Sequence, residues 1–202
     1  MKKYLAIAAL LSAPAFATAA TNLVVNGSFE SYPVTNGDWT IYTTPNGWTT
    51  GPGGVEIRNN VAGTAADGVR YAELDANYNS EISQTINTGA NQSLLLSFFY
   101  APRAGVSTLS NPIDVLWNGT SIGSYSGDGT VNSNWYNVSL FLTGDGSGTN
   151  TLQFKASGTS DSYGGSLDNI SVTAVPEPET SAMLLAGLGL LAAVARRRKT
   201  RD

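Results

Sequence analysis

The chain has 202 residues, 11 of them basic and 15 acidic, for a formal charge of −4; this is enough for one ordinary domain with short appended segments. It contains no cysteine and no histidine, which excludes a disulfide framework, a thiol nucleophile, imidazole-based triads and the usual soft-metal sites, so that any bound metal is expected to be a hard, oxygen-seeking ion. Residues 21–175 hold four basic side chains (Arg58, Arg70, Arg103 and Lys155) against twelve acidic ones, a net −8, and such an acidic body argues against nucleic acid as a partner.

The first twenty residues read MKKYLAIAALLSAPAFATAA. Two lysines precede an apolar run from Tyr4 to Leu11, and small residues then offer Ala15-Phe16-Ala17 or Ala17-Thr18-Ala19 for cleavage. That three-part layout predicts a signal helix over residues 1–20 that is removed by signal peptidase, with the mature chain beginning between Thr18 and Thr21.

From residue 21 to 174 the pattern is that of one β-rich domain. Short runs of Val, Ile, Leu, Phe and Tyr alternate with clusters of Gly, Asn, Ser, Thr and Asp, and no stretch keeps a helical period. Strands are expected at Val69–Asp75, Ile82–Ile86, Ser93–Tyr100, Ile113–Trp117, Trp135–Leu142, Thr151–Ala156 and Ser166–Val172. Between strands, Asn118-Gly119, Asp128-Gly129, Asp145-Gly146 and Gly164-Gly165 are expected to supply the positive φ angles of tight connections. Leu152, Phe154, Leu167, Ile170 and Val172 are assigned to the core, with a local irregularity before Ile170.

The C-terminal residues 175–202 form a separate segment. Pro176-Glu177-Pro178 is followed by an uncharged apolar stretch, Ala182 to Ala195, and then by Arg196, Arg197, Arg198, Lys199 and Arg201. Fourteen helical residues rise about 21 Å, short of a hydrocarbon core of roughly 30 Å; the missing polar face and the abutting basic cluster still favour a membrane helix over about 181–195, with the tail 196–202 held in the cytoplasm. This order of elements resembles the PEP-CTERM sorting signal of Gram-negative bacteria. The resemblance implies recognition near the Pro-Glu-Pro by an exosortase, transient anchoring in the inner membrane, and delivery to the cell surface or extracellular matrix in association with exopolysaccharide.

The domain itself carries a second resemblance. NLVVNGSFE (Asn22 to Glu30), Gly47-Trp48 and GGSLDNISV (Gly164 to Val172) are similar to the first and last strands of galactose-binding-like jelly rolls, and VRYAELD, ISQTI and LSFFYAPR are similar to stretches of the unknown-function domains of plant cell-wall proteins. It implies an all-β fold, a jelly-roll β-sandwich flanked by the N-terminal signal helix and the C-terminal hydrophobic helix. It also implies a structural Ca2+ held by Glu30 and Asp168 between the terminal strands.

Sugar recognition needs an aromatic plane for the ring's C–H face and charged or amide groups for its hydroxyls. The candidates are Trp48, Tyr71, Trp117 and Trp135 with Arg58, Glu73, Asp75 and Arg103; in the strand Val69–Asp75, Tyr71, Glu73 and Asp75 fall on one face and Ala72 and Leu74 on the other. Glu56, Glu73, Asp75 and Glu81 could form a glycosidase-like pair, but no motif singles any of them out. The expectation is therefore a noncatalytic module that binds or organises extracellular polysaccharide, the alternative being a structural or adhesive matrix protein that contacts no sugar.

Overall fold

The computed structural model describes residues 20–176, 184–192 and 196. Residues 1–19 of the expected signal peptide lie outside the described residues.

Eleven strands form among them. In chain order they are β1 (Asp38–Tyr42), β2 (Thr49–Thr50), β3 (Val55–Asn59), β4 (Tyr71–Glu73), β5 (Glu81–Asn87) and β6 (Ser93–Ala101). There follow β7 (Ile113–Trp117), β8 (Thr120–Tyr125), β9 (Tyr136–Thr143), β10 (Thr149–Ala156) and β11 (Ser166–Ala174). They build a six-stranded sheet of order β1-β3-β4-β11-β6-β9 and a five-stranded sheet of order β2-β5-β10-β7-β8, with every pairing antiparallel. Most neighbours are not consecutive in sequence, which is the mark of a jelly roll and not of a meander.

Period-two alternation decides which face each strand buries. In β6, Leu94, Leu96, Phe98 and Tyr100 are buried while Leu95, Ser97 and Phe99 stay half-buried on the outer face. In β10, Leu152, Phe154 and Ala156 point into the same core. Phe98 and Phe154, one from each sheet, meet edge to face at 5.1 Å and 78°, tying the two layers together. Leu167, Ile170 and Val172 are all fully buried, and the register of β11 against β6 shifts between Asp168 and Ser171, where the irregularity was expected.

Two expectations are corrected. The opening NLVVNGSFE is not a strand: it makes one isolated bridge, Asn22 to Thr173, and Asn26 and Phe29 take positive φ. Two backbone bonds to β11, Leu23 N–H to the Val172 carbonyl and Ile170 N–H to that of Gly27, and a set of polar side chains hold it instead of a full ladder. Asn22 Oδ1 accepts from the N–H groups of Val24 and Val172, each at 3.0 Å, and the Gln84 amide bonds both backbone groups of Val25 and the Gly47 carbonyl. Of the four glycine turns, only Asn118-Gly119 has positive φ at both residues (52° and 77°), closing the β7–β8 hairpin. Gly129 and Gly165 serve another purpose, since a Cβ there would lie 1.8 Å from the Arg103 carbonyl oxygen and 2.5 Å from that of Asn111. Their backbones approach other chain segments too closely for a side chain.

Beyond the sandwich, residues 184–192 are helical, and no helix among the described residues is long and apolar enough to cross a membrane. The remainder of the expected span over 181–195 lies outside the described residues.

Candidate functional site

The outer face of the large sheet, where β3, β4 and β11 lie side by side, gathers the charged residues. Register places Glu56 opposite Glu73 and Arg58 opposite Tyr71 on the face away from Ile57 and Ala72. Two like charges directly across a ladder repel. Arg58 resolves the conflict by bridging them, its Nε donating to Glu56 and its Nη2 to Glu73. From the loop after β6, Arg103 brings Nη1 to 3.0 Å from both Glu73 oxygens and to 3.1 Å from the Ser162 carbonyl. Glu73 also accepts from the Gly164 N–H. Two carboxylates and two guanidinium groups thus form a nearly dry network whose charges cancel. Burial pulls both arginines below their ordinary basicity, with Glu56 opposing the change.

Two clefts open beside this network. The larger, of about 270 Å³, has Glu56, Arg58 and Arg103 in its lining together with Trp39, Asn77 and Tyr163. Trp39 and Tyr163 are 47% and 48% exposed, unusual for rings that large. The Arg103 guanidinium lies over the Tyr163 ring, 4.4 Å from its centroid, a cation–π contact that fixes both side chains. The second cleft, of about 200 Å³, is lined by Thr64, Tyr71, Asn134 and Trp135 among others. Trp135 meets Tyr71 edge-on at 5.6 Å and donates from Nε1 to the Thr64 carbonyl at 2.8 Å. Tyr71 donates its hydroxyl to the Val61 carbonyl, and burial raises its phenol above the ordinary value against the pull of Arg58. The loop of residues 61–64 divides the clefts.

Of the candidate sugar-binding residues, Arg58, Tyr71, Glu73 and Arg103 converge here. Asp75 sits one step along the same face, fully buried, accepting from the N–H groups of Asp161 at 2.9 Å and Ser162 at 3.2 Å. Trp48 and Trp117 do not belong to the site. At 5% and 7% exposure they are core residues; Trp48 stacks on Phe29 at 6.1 Å, and its Nε1 donates to the Asn26 carbonyl at 3.2 Å. Trp117 likewise donates from Nε1 to the Thr143 carbonyl at 3.0 Å. Trp39 and Tyr163 were missed: Trp39 lies in the five-residue stretch DWTIY between polar turns, and Tyr163 in a Gly/Ser-rich turn. The available signal for Tyr163 was a lone aromatic within a polar run, which packing alone would not require.

Glu30 and Asp168 each grip the loop of residues 66–70. Glu30 Oε1 accepts from the Val69 and Arg70 N–H groups at 2.7 Å, and its Oε2 pairs with Arg70 Nη1 at 2.9 Å. Asp168 Oδ2 accepts from Ala66 and Asp67 at 2.8 and 2.9 Å, and Oδ1 from Asn169 at 2.6 Å. Calcium needs six to eight oxygens, whereas these carboxylates face N–H donors. Among the described residues no group of three or more His, Cys, Asp or Glu is placed to hold a metal ion, so a Ca2+ at Glu30 and Asp168 would have to draw its remaining oxygens from backbone carbonyls or water.

The sandwich resembles the jelly rolls of carbohydrate-binding modules. It aligns with a family 16 carbohydrate-binding module (TM-score 0.51, 16% identity, 75% of this chain and 99% of that one). It also aligns with TmCBM61, solved in complex with beta-1,4-galactotriose (TM-score 0.52, 17% identity, 77% and 100% coverage). Other similar structures are segments of larger enzymes. In sequence, the chain is 34% identical over 169 residues to the multifunctional-autoprocessing repeats-in-toxin protein of Vibrio cholerae serotype O1, covering 81% of this chain and spanning only 3% of the toxin's length.

Residues 174–199 match the PEP-CTERM protein-sorting motif, which marks the chain as an exported protein and implies exosortase processing. The match takes in Pro176, Glu177, Pro178, Arg196, Arg197 and Arg198. Pro176 and Arg196 are described; Glu177, Pro178, Arg197 and Arg198 lie outside the described residues.

Proposed function

We propose that this is a noncatalytic exported protein, sorted to the cell surface or matrix through its C-terminal motif, whose jelly roll binds or organises extracellular polysaccharide at the Trp39–Tyr163 cleft. The observation that carries the reading is the pairing of two half-exposed rings with Glu56, Arg58 and Arg103 in the lining of one cleft, these three tied together through the buried Glu73. Rings supply a surface for sugar C–H groups, and a rigid floor of charged donors and acceptors is pre-organised for hydroxyls, so little ordering cost remains on binding. The same network argues against hydrolysis. A glycosidase needs one carboxyl free to donate a proton and another free to attack or activate water, yet Glu56 and Glu73 are both engaged by guanidinium groups. Glu81 stands on β5, in the other sheet.

The test is a binding isotherm of the full chain on extracellular polysaccharide from bacteria whose proteins carry this sorting motif. Saturable binding that weakens about tenfold or more in Trp39→Ala, as loss of an aromatic anchor does, supports the reading. Absence of binding by the folded chain would favour a structural or adhesive matrix protein.

A further inference from the structure

Arg58 is the most deeply buried donor of the cleft, and it has capacity to spare. Its Nε and Nη2 are taken by Glu56 and Glu73, whereas Nη1, on a side chain 1% exposed, makes no hydrogen bond within the protein. The neighbouring phenol of Tyr71 donates to the Val61 carbonyl and makes no hydrogen bond with Nη1. A buried charged donor left without an acceptor is costly, so an oxygen brought into the cleft beside it recovers what the fold alone leaves unmade.

Charge restricts what can carry that oxygen. Arg58 and Arg103 are already balanced by Glu56 and Glu73. Beyond them lie Asp75, buried on the same face, and Asp161, close enough to act on both Asp75 and Arg103. Residues 21–175 as a whole carry a net −8. A ligand carboxylate would thus enter a neutral network inside a negative field, uncompensated and desolvated. A ring oxygen or hydroxyl accepts from Nη1 without that penalty. One face of Tyr163 is occupied by Arg103, so Trp39, 47% exposed, is the freer of the two rings for a sugar's C–H face.

We infer that the cleft takes an uncharged glycan residue, a hydroxyl or ring oxygen accepting from Arg58 Nη1 while the sugar lies on Trp39, and that it rejects uronates. The inference rests on the carbohydrate-binding reading above and fixes the class of sugar.

The experiment passes the full chain over immobilised neutral polysaccharides (galactan, xylan and mannan) and over polygalacturonate and alginate, from about 0.05 to about 0.5 M salt. The expected result is retention on at least one neutral polymer, unchanged by salt, and none on the polyuronates. On the retaining polymer, Trp39→Ala and Arg58→Lys should each weaken binding about tenfold or more, the lysine keeping the charge but not the planar fork. Trp39 is a surface residue, so its variant reports on the site even if Arg58→Lys folds poorly. Salt-sensitive retention on a polyuronate would overturn the inference while leaving a carbohydrate-binding protein. Retention on neither class would overturn both, and neutral-polymer binding indifferent to Trp39→Ala would place the site elsewhere.

Discussion

Asp168 is a carboxylate with every oxygen hydrogen-bonded, yet burial pushes it up from 3.8 to about 7, outweighing the three N–H groups that favour its ionised form. The folded protein therefore holds this proton more tightly than the unfolded chain. Stability is greatest below the unfolded value, falls as the pH rises from about 4 to about 7, and levels off above that. A difference of that size corresponds to roughly 4 kcal/mol. Asp75, raised mainly by burial as well, acts in the same direction. Urea midpoints should thus be lower at pH 8 than at pH 5, and Asp168→Asn should flatten most of the difference. An undiminished slope in the variant would mean that the carboxyl is ionised throughout and that its N–H donors win. Gly27 makes a separate claim at this scale: a Cβ there would meet the Ile170 carbonyl oxygen at 1.9 Å. Gly27→Ala should therefore cost about 1–3 kcal/mol, the usual range for overpacking, read as a lower urea midpoint at unchanged slope.

Among the elements, β4 is the shortest whose side chains decide the site. Its three residues put Tyr71 and Glu73 on the outer face and Ala72 in the core, and Glu73 then receives Arg58, Arg103 and Gly164. Glu73→Gln would keep the shape but leave two guanidinium groups facing each other without their shared carboxylate. A loss of about 3–5 kcal/mol is expected, as for a broken buried ion pair, and chemical denaturation measures it; a loss below about 1 kcal/mol would mean that solvent already screens the network. The alternation of this strand was legible in the sequence, as were β5, β6, β7, β9, β10 and β11, because each carries enough β-branched and aromatic residues in period two. β1, β2, β3 and β8 were not. They are short or polar; β3 does alternate, Val55 and Ile57 against Glu56 and Arg58, but over only five residues, and that alternation gives no sign that its polar face is buried as well. For the same reason Trp48 and Trp117 looked available from sequence: a tryptophan next to glycine or asparagine is compatible with either a loop platform or a core plug, and only packing against Phe29 and across to Thr143 separates the two.

On the scale of the whole molecule, the acidic body and the basic ends divide the work. The sheets are complete at Ala174, where β11 stops, and Val175 donates its N–H to the Ser93 carbonyl at 2.9 Å, the last backbone tie before Pro176. The sorting motif begins at that point, at residue 174, so the fold hands over to the processing signal without an intervening linker. Pro176 cannot extend the ladder, having no N–H to donate, and this ends the pairing of β11 just ahead of Glu177. Replacing Pro176, Glu177 and Pro178 together by Ala should leave the melting temperature of the domain unchanged, because no strand is touched. In a host with an exosortase it should trap the chain in the membrane fraction at its unprocessed mass. Normal release at the mature mass would place the processing signal in the apolar stretch or the arginines; a lowered melting temperature would show instead that the Pro-Glu-Pro segment buttresses the end of the β6–β11 pair and is part of the fold.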